Sequence, residues 1–181
     1  HYQIQYRDLI MEKARILIVE DEAIIAMEIE SQLQSLEYEV TSIVDTGEKA
    51  IKKAEADKPD LILMDIRIKG EMDGIDAAEV IRNKFGIPVI FSTAYLDEER
   101  IERAKITMPF GYVLKPVQER DLKVTIEMAL YVAVVDKERK RITQKMEDAF
   151  EMISRAEQIA KMGSWRWNPN TNRVEWSDNM C

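Results

Sequence analysis

Histidine and cysteine are almost missing from this sequence: His1 is the only histidine, and Cys181, the last residue, is the only cysteine. No internal histidine is available for catalysis or metal binding, no disulfide framework can form, and no cysteine cluster can hold zinc. A chain without disulfides fits a reducing compartment, and the expected location is cytoplasmic. Basic side chains are also in deficit, 26 Lys and Arg against 34 Asp and Glu, which leaves a net charge of −8. Phosphate backbones are bound by clustered Lys and Arg, so this balance argues against a nucleic-acid surface in the segment and against docking on anionic lipid. No apolar run approaches the roughly 20 residues that span a bilayer, and no signal-peptide pattern opens the chain. Neither nucleic acid nor membrane is expected as a partner.

What is present points to a folded domain with something added. The 181 residues are 46% hydrophobic and 33% charged, enough apolar material for a core and enough charge for helix-rich surfaces. Residues 1–12 precede the first apolar run and are set apart as an N-terminal extension. "ARILIVE" (14–20) is strand-like, and in the segment after it Ile25, Ile29, Leu33 and Leu36 fall at helical spacing. A strand over 38–44 and a helix over 46–57 follow, the helix stopped by Pro59; "DLILM" is a third strand. A helix over 73–85 ends at Gly86, "IPVIFS" (87–92) is a fourth strand, 96–106 a helix, and "FGYVLKP" (110–116) a fifth strand. Short strands alternating with helices predict a doubly wound α/β domain, with a five-stranded parallel sheet in the flavodoxin-like order 2-1-3-4-5.

In such sheets the ligand crevice lies beyond the carboxyl ends of the strands. Strand one ends at Glu20 and Asp21, strand three at Asp65, strand four at Ser92 and Thr93, and strand five at Lys115. One edge therefore gathers three acids, hydroxyls and a lysine. Like charges so close are tolerable when cations share them. Carboxylate oxygens without histidine or cysteine suit Mg²⁺, which keeps waters and bridges to phosphate oxygens. A carboxylate beside a divalent ion and an ammonium is a nucleophile prepared for phosphoryl transfer, and Thr93 could hydrogen-bond the transferred group. Singly, Asp65 would be a cap or turn residue, Lys115 a surface charge, Thr93 a loop hydroxyl and Tyr112 packing; their joint placement favours a reactive site.

The segments "ILIVEDE", "LILMDIRIKGEMDGID", "PVIFSTAY" and "GYVLKP", in this order and spacing, resemble the receiver domain of two-component response regulators over residues 13–132. The resemblance implies that Asp65 accepts a phosphoryl group from a sensor histidine kinase. It implies further that Glu20 and Asp21 hold Mg²⁺ with Asp65, and that Arg67 coordinates through its backbone carbonyl. Thr93 would be the switch hydroxyl, Tyr112 the switch aromatic, and Lys115 the partner of the phosphoryl group, joined to Pro116 by a cis peptide. Glu20 stands where aspartate is common, and "LEYEV" lacks the glycine often found before strand two.

From Gln118 to Gly163 the sequence has no helix breaker. Counting heptads, positions a are Val132, Arg139, Met146, Ile153 and Ala160, and positions d are Met128, Val135, Ile142, Ala149 and Ala156; nine of these ten are apolar. A stripe sustained over that length argues for a coiled coil at 133–162 continuing the last receiver helix, with homodimerisation through the 118–160 helix or through the face of the fourth and fifth helices. The alternative is an amphipathic helix folded back on its own domain. "GSWRWNPNTNRVEWSDN", with Trp165, Trp167 and Trp176 around a turn, predicts a β-hairpin and resembles the opening of a PAS sensor domain. Residues 163–181 are then the truncated start of such a domain, since they are far fewer than a domain needs. The expected function is a phosphorylation-gated signalling module without histidine kinase activity in this segment. Its rival is a dimerisation scaffold with a receiver fold that takes no phosphate. A phosphotransferase acting on small molecules fits less well, because no nucleotide-binding glycine loop accompanies Asp65.

Overall fold

The computed structural model describes residues 13–94, 102, 109–160, 165–168 and 171–176. The proposed N-terminal extension lies outside them, as does the helix expected over 96–106 except for Glu102, which is helical. The described strands and helices are β1 (Arg15–Val19), α1 (Ala23–Ser35), β2 (Glu39–Val44), α2 (Gly47–Asp57), β3 (Leu61–Asp65), α3 (Gly74–Phe85), β4 (Val89–Thr93), β5 (Gly111–Leu114), α4 (Glu119–Ala160), β6 (Trp165–Asn168) and β7 (Arg173–Trp176). The chain divides into two units after Val135.

The first unit is a five-stranded sheet in the order β2-β1-β3-β4-β5, every neighbouring pair parallel. Parallel strands covered on both faces must be apolar along their whole length, and β3 and β4 are buried at every position. Alternation sorts their side chains between two cores. Leu17, Val19, Ile62, Met64, Val89 and Phe91 face one side, where Ala50 and Ala54 of α2 and Ile75, Ala78 and Ile81 of α3 close over them. Ile16, Ile18, Leu61, Leu63 and Ile90 face the other, under Ile29 and Leu33 of α1 and Leu122, Ile126, Ala129 and Leu130 of α4. β1 and β2 slip register between Ile16 and Leu17, a bulge on the β2 edge.

Local chemistry fixes the helix ends. The Thr46 hydroxyl accepts the Lys49 amide at 3.3 Å, and the Asp73 carboxylate accepts the amides of Ile75 and Asp76, each at 3.0 Å, so both helices start on side-chain caps. Helix α3 ends on Gly86, whose φ of 67° is the left-handed value that glycine takes without penalty. After α1 the same left-handed turn falls to Glu37, at φ 66°, in the segment where the sequence has no glycine.

α4 is continuous through 42 residues, about 63 Å at about 1.5 Å per residue. Beyond Leu130 its apolar positions Val132, Val135, Ile142, Met146 and Ile153 are exposed. The second unit holds the distal part of this helix and the antiparallel pair β6–β7, in which Trp165 stands opposite Trp176 and Trp167 opposite Val174. Among the described residues no helix is long and apolar enough to cross a membrane.

Candidate functional site

The carboxyl ends of β1, β3, β4 and β5 converge as the strand order requires. β1 leads into Glu20 and Asp21, and β3 ends on Asp65; ligand oxygens of these three acids lie within 4.8 Å of one another. Glu20 and Asp65 are 3% and 6% exposed, a burial that carboxylates tolerate only when paired. The pairing comes from β5. Lys115, the residue after that strand, places its ammonium 2.6 Å from Asp65 Oδ2 and 2.7 Å from Glu20 Oε2. One cation thus holds two buried acids together.

Each acid divides its oxygens between two tasks. Asp65 Oδ1 accepts the Arg67 amide at 3.0 Å, which closes a turn at the end of β3, while Oδ2 faces Lys115. Glu20 Oε1 accepts the Glu22 amide at 3.2 Å ahead of α1, while Oε2 faces Lys115. The turn reading of Asp65 accounts for Oδ1, and Oδ2 is left against an ammonium. Burial pushes the Glu20 carboxyl above its ordinary value; Lys115 opposes that shift and the charge of Asp65 reinforces it. Burial pulls the Lys115 ammonium down, but its bonds to Asp65 and Glu20 outweigh this and leave it above ordinary lysine.

Asp21, the more open acid, has Lys69 beside it: that ammonium lies 3.7 Å from Oδ2 and donates to the Asp21 carbonyl at 3.3 Å. Thr93 is buried at the end of β4, and its hydroxyl donates to its neighbour's carbonyl, that of Ala94, at 3.2 Å. Tyr112 on β5 packs its ring 6.0 Å from that of Phe91, and its buried hydroxyl has no partner among the described residues. Burial, with the charge of Glu102 adding to it, raises the Tyr112 phenol above its ordinary value. The Lys115–Pro116 peptide is cis.

Geometry adds a residue to which the sequence reading gave no role. Gly74 opens α3, and its amide donates to the Ile66 carbonyl at 3.2 Å. A Cβ at this position would lie 2.0 Å from the carbonyl oxygen of Asp65. The first turn of α3 thus touches the backbone of Asp65 itself, and no side chain fits between. The available signal was the Asp-Gly pair just before a helix. Lys69 was equally unsignalled, because only folding brings it to Asp21.

The response regulator receiver domain pattern matches residues 16–127. The chain belongs to that family. The transcriptional regulatory protein PdtaR of Mycobacterium tuberculosis is 38% identical over 116 residues, which cover 64% of this chain and 56% of that protein. The N-terminal domain of a response regulator/sensory box/GGDEF three-domain protein from Carboxydothermus hydrogenoformans is 37% identical, with a TM-score of 0.62, over 67% of this chain and 98% of that one. The receiver domain of a sensor histidine kinase from Pseudomonas aeruginosa, solved with a magnesium ion coordinated in its active-site cleft, is 31% identical. Its TM-score is 0.60, over 65% of this chain and 98% of that chain. The chain spans about half the length of the curated relatives it matches. Receiver domains take phosphoryl groups from histidine kinases and typically bind Mg²⁺ at an acidic site. The donor set here fits such an ion: three neighbouring carboxylates, all hard oxygen, with one acid left open at Asp21.

Proposed function

We propose that this chain is the phosphoacceptor module of a two-component phosphorelay, with Asp65 as the residue phosphorylated by a sensor histidine kinase. An Asp65 oxygen bonds to phosphorus as the P–N bond of the donor phosphohistidine breaks, and the released imidazole takes up a proton. Glu20, Asp21, Asp65 and the backbone carbonyl of Arg67 would hold Mg²⁺, which supplies positive charge to the phosphoryl oxygens. Lys115 moves from bridging two carboxylates to pairing with the new dianion. Thr93 turns its hydroxyl from the Ala94 carbonyl to a phosphoryl oxygen, and Tyr112 follows into the space behind it.

The single observation that carries this reading is the Lys115 ammonium at 2.6 Å from Asp65 and 2.7 Å from Glu20. It sets an ammonium against two buried carboxylates, an arrangement that suits a phosphoryl dianion better than it suits a structural turn. The magnesium of the Pseudomonas aeruginosa relative agrees with the metal assignment.

The remaining segments extend the proposal. Residues 13–132 form the receiver, 133–162 a coiled coil through which two copies pair, and 163–181 the opening of a PAS domain that receives the signal. The exposed apolar stripe of α4 supports the coil. The β6–β7 hairpin, and the sensory box named in the Carboxydothermus hydrogenoformans relative, support the PAS assignment.

Incubation with a small acyl phosphate and Mg²⁺ tests the central step. Intact mass should rise by one phosphoryl group in the wild type and not in Asp65→Ala, and Asp21→Ala should lose most of the Mg²⁺ affinity. No adduct on the wild type would replace this reading with the phosphate-free dimerisation scaffold.

A further inference from the structure

A helix that leaves its domain needs a partner. Residues 137–153 of α4 are exposed at nearly every position, with Ile142, Met146 and Ile153 at 43%, 68% and 59%. Lys140 with Asp136 at 2.8 Å, Arg155 with Glu151 at 3.5 Å, and the Arg141–Glu138 pair brace this segment along its own surface. Such pairs contribute a few tenths of a kcal/mol each, too little to hold an isolated helix in water. The stability must come from a covered apolar face.

We infer that the cover is a second copy of this chain, running parallel and in register, and that Arg139 and Glu138 together fix that register. The inference rests on the dimeric reading above and specifies its geometry. A surface that repeats every 3.5 residues on average is matched at every level by another copy of itself. In the parallel register Val132, Val135, Ile142, Met146, Ala149 and Ile153 each meet their own counterpart, and the stripe continues upward through Met128 on the same helix. Position g of one copy meets position e of the next heptad of the other, giving Tyr131 with Asp136, Glu138 with Thr143 and Lys145 with Phe150. None of these is a like-charge pair.

Arg139 decides the alignment. It is the one charge at an a or d position, 79% exposed, with only Asp136 at 4.0 Å as a marginal partner on its own helix. In the parallel dimer the g residue preceding each a position flanks the opposite chain's a residue, so Glu138 of each copy lies beside Arg139 of the other as well as Arg141 of its own helix. An antiparallel pair that overlaps the same stripe sets Arg139 against Ile142 and brings Lys145 as near as Glu138. A polar layer that lowers stability while selecting one register is a recognised use of a buried charge at position a.

Cysteine crosslinking on the full chain tests this, with Cys181→Ser as background so that each introduced thiol is the only one. Ala149→Cys, at a d position, should form an interchain disulfide under mild oxidation far more readily than Gln144→Cys on the outer face. Glu138→Lys should weaken the dimer by about fivefold or more, and Arg139→Leu should tighten it by a similar factor. A dimer in sedimentation without the Ala149→Cys crosslink overturns the parallel register alone. A dimer unaffected by Glu138→Lys overturns the charged layer. A monomer at all concentrations overturns the dimeric reading together with this one.

Discussion

The two halves of α4 obey the same periodicity and meet opposite fates. Near its start, Leu122, Ile126, Ala129 and Leu130 are buried on the sheet. Further along, Ile142, Met146 and Ile153 carry the same kind of apolar stripe into solvent. The helical pattern alone reports that a face wants to be buried; it does not report against what. In the receiver unit the answer is inside the chain; among the described residues nothing covers the distal stripe. Charged groups divide in the same way. Lys115 has two buried acids of its own fold to satisfy, whereas Lys140 pairs with Asp136 on an open helix surface.

Matched substitutions sharpen this contrast. The largest difference is expected between Lys115→Met and Lys140→Met. The first leaves two buried carboxylates facing each other and should cost about 3 kcal/mol at neutral pH in urea unfolding. The second should stay within about 1 kcal/mol. The deficit of Lys115→Met should shrink as the pH falls. Glu20 already titrates above 4.5 because of burial, and loss of the ammonium raises it further, so the folded state takes up a proton before the unfolded chain does. In the wild type, Lys115 itself titrates above its ordinary 10.5, so its stabilising contribution is complete below that pH and is lost only as the pH rises through the higher folded value. An equal cost for both lysine variants would break the comparison.

Next in size is Leu122→Ala against Ile142→Ala. Deleting the buried leucine should lower receiver stability by about 2–3 kcal/mol. The distal substitution should leave receiver unfolding within about 0.5 kcal/mol and appear instead in the dissociation of the proposed dimer. The smallest pair concerns backbone and not packing. Glu37→Gly should stabilise by about 1 kcal/mol, because φ 66° strains any residue with a Cβ. Glu147→Gly, in the exposed helix interior, should cost about 1 kcal/mol. Thermal unfolding of the receiver for Glu37→Gly, and helical content by circular dichroism for Glu147→Gly, check both signs.

The sheet was legible because Ile16–Val19, Leu61–Met64 and Val89–Phe91 are unbroken apolar runs of strand length, as a sheet covered on both faces requires. The gathering of Glu20, Asp21, Asp65, Thr93 and Lys115 followed from strand order without any side-chain geometry. What stayed hidden depends on distances that no spacing rule supplies. That Lys115 bridges Glu20 as well as Asp65, that Lys69 reaches Asp21, and that Gly74 abuts the Asp65 carbonyl are consequences of how loops close. The β1–β2 bulge was equally invisible, since nothing in the sequence marks the slip between Ile16 and Leu17. The exposed stripe of α4 was legible as a pattern, and the choice between a fold-back and a partner was not.

A carboxylate usually offers two equivalent oxygens on a freely turning pivot. That of Asp65 is moored at both ends, by the Arg67 amide at Oδ1 and the Lys115 ammonium at Oδ2. It cannot spin, so the fold sets the direction in which each oxygen points. On the proposed phosphoacceptor role, a donor of any size meets the same fixed carboxylate plane.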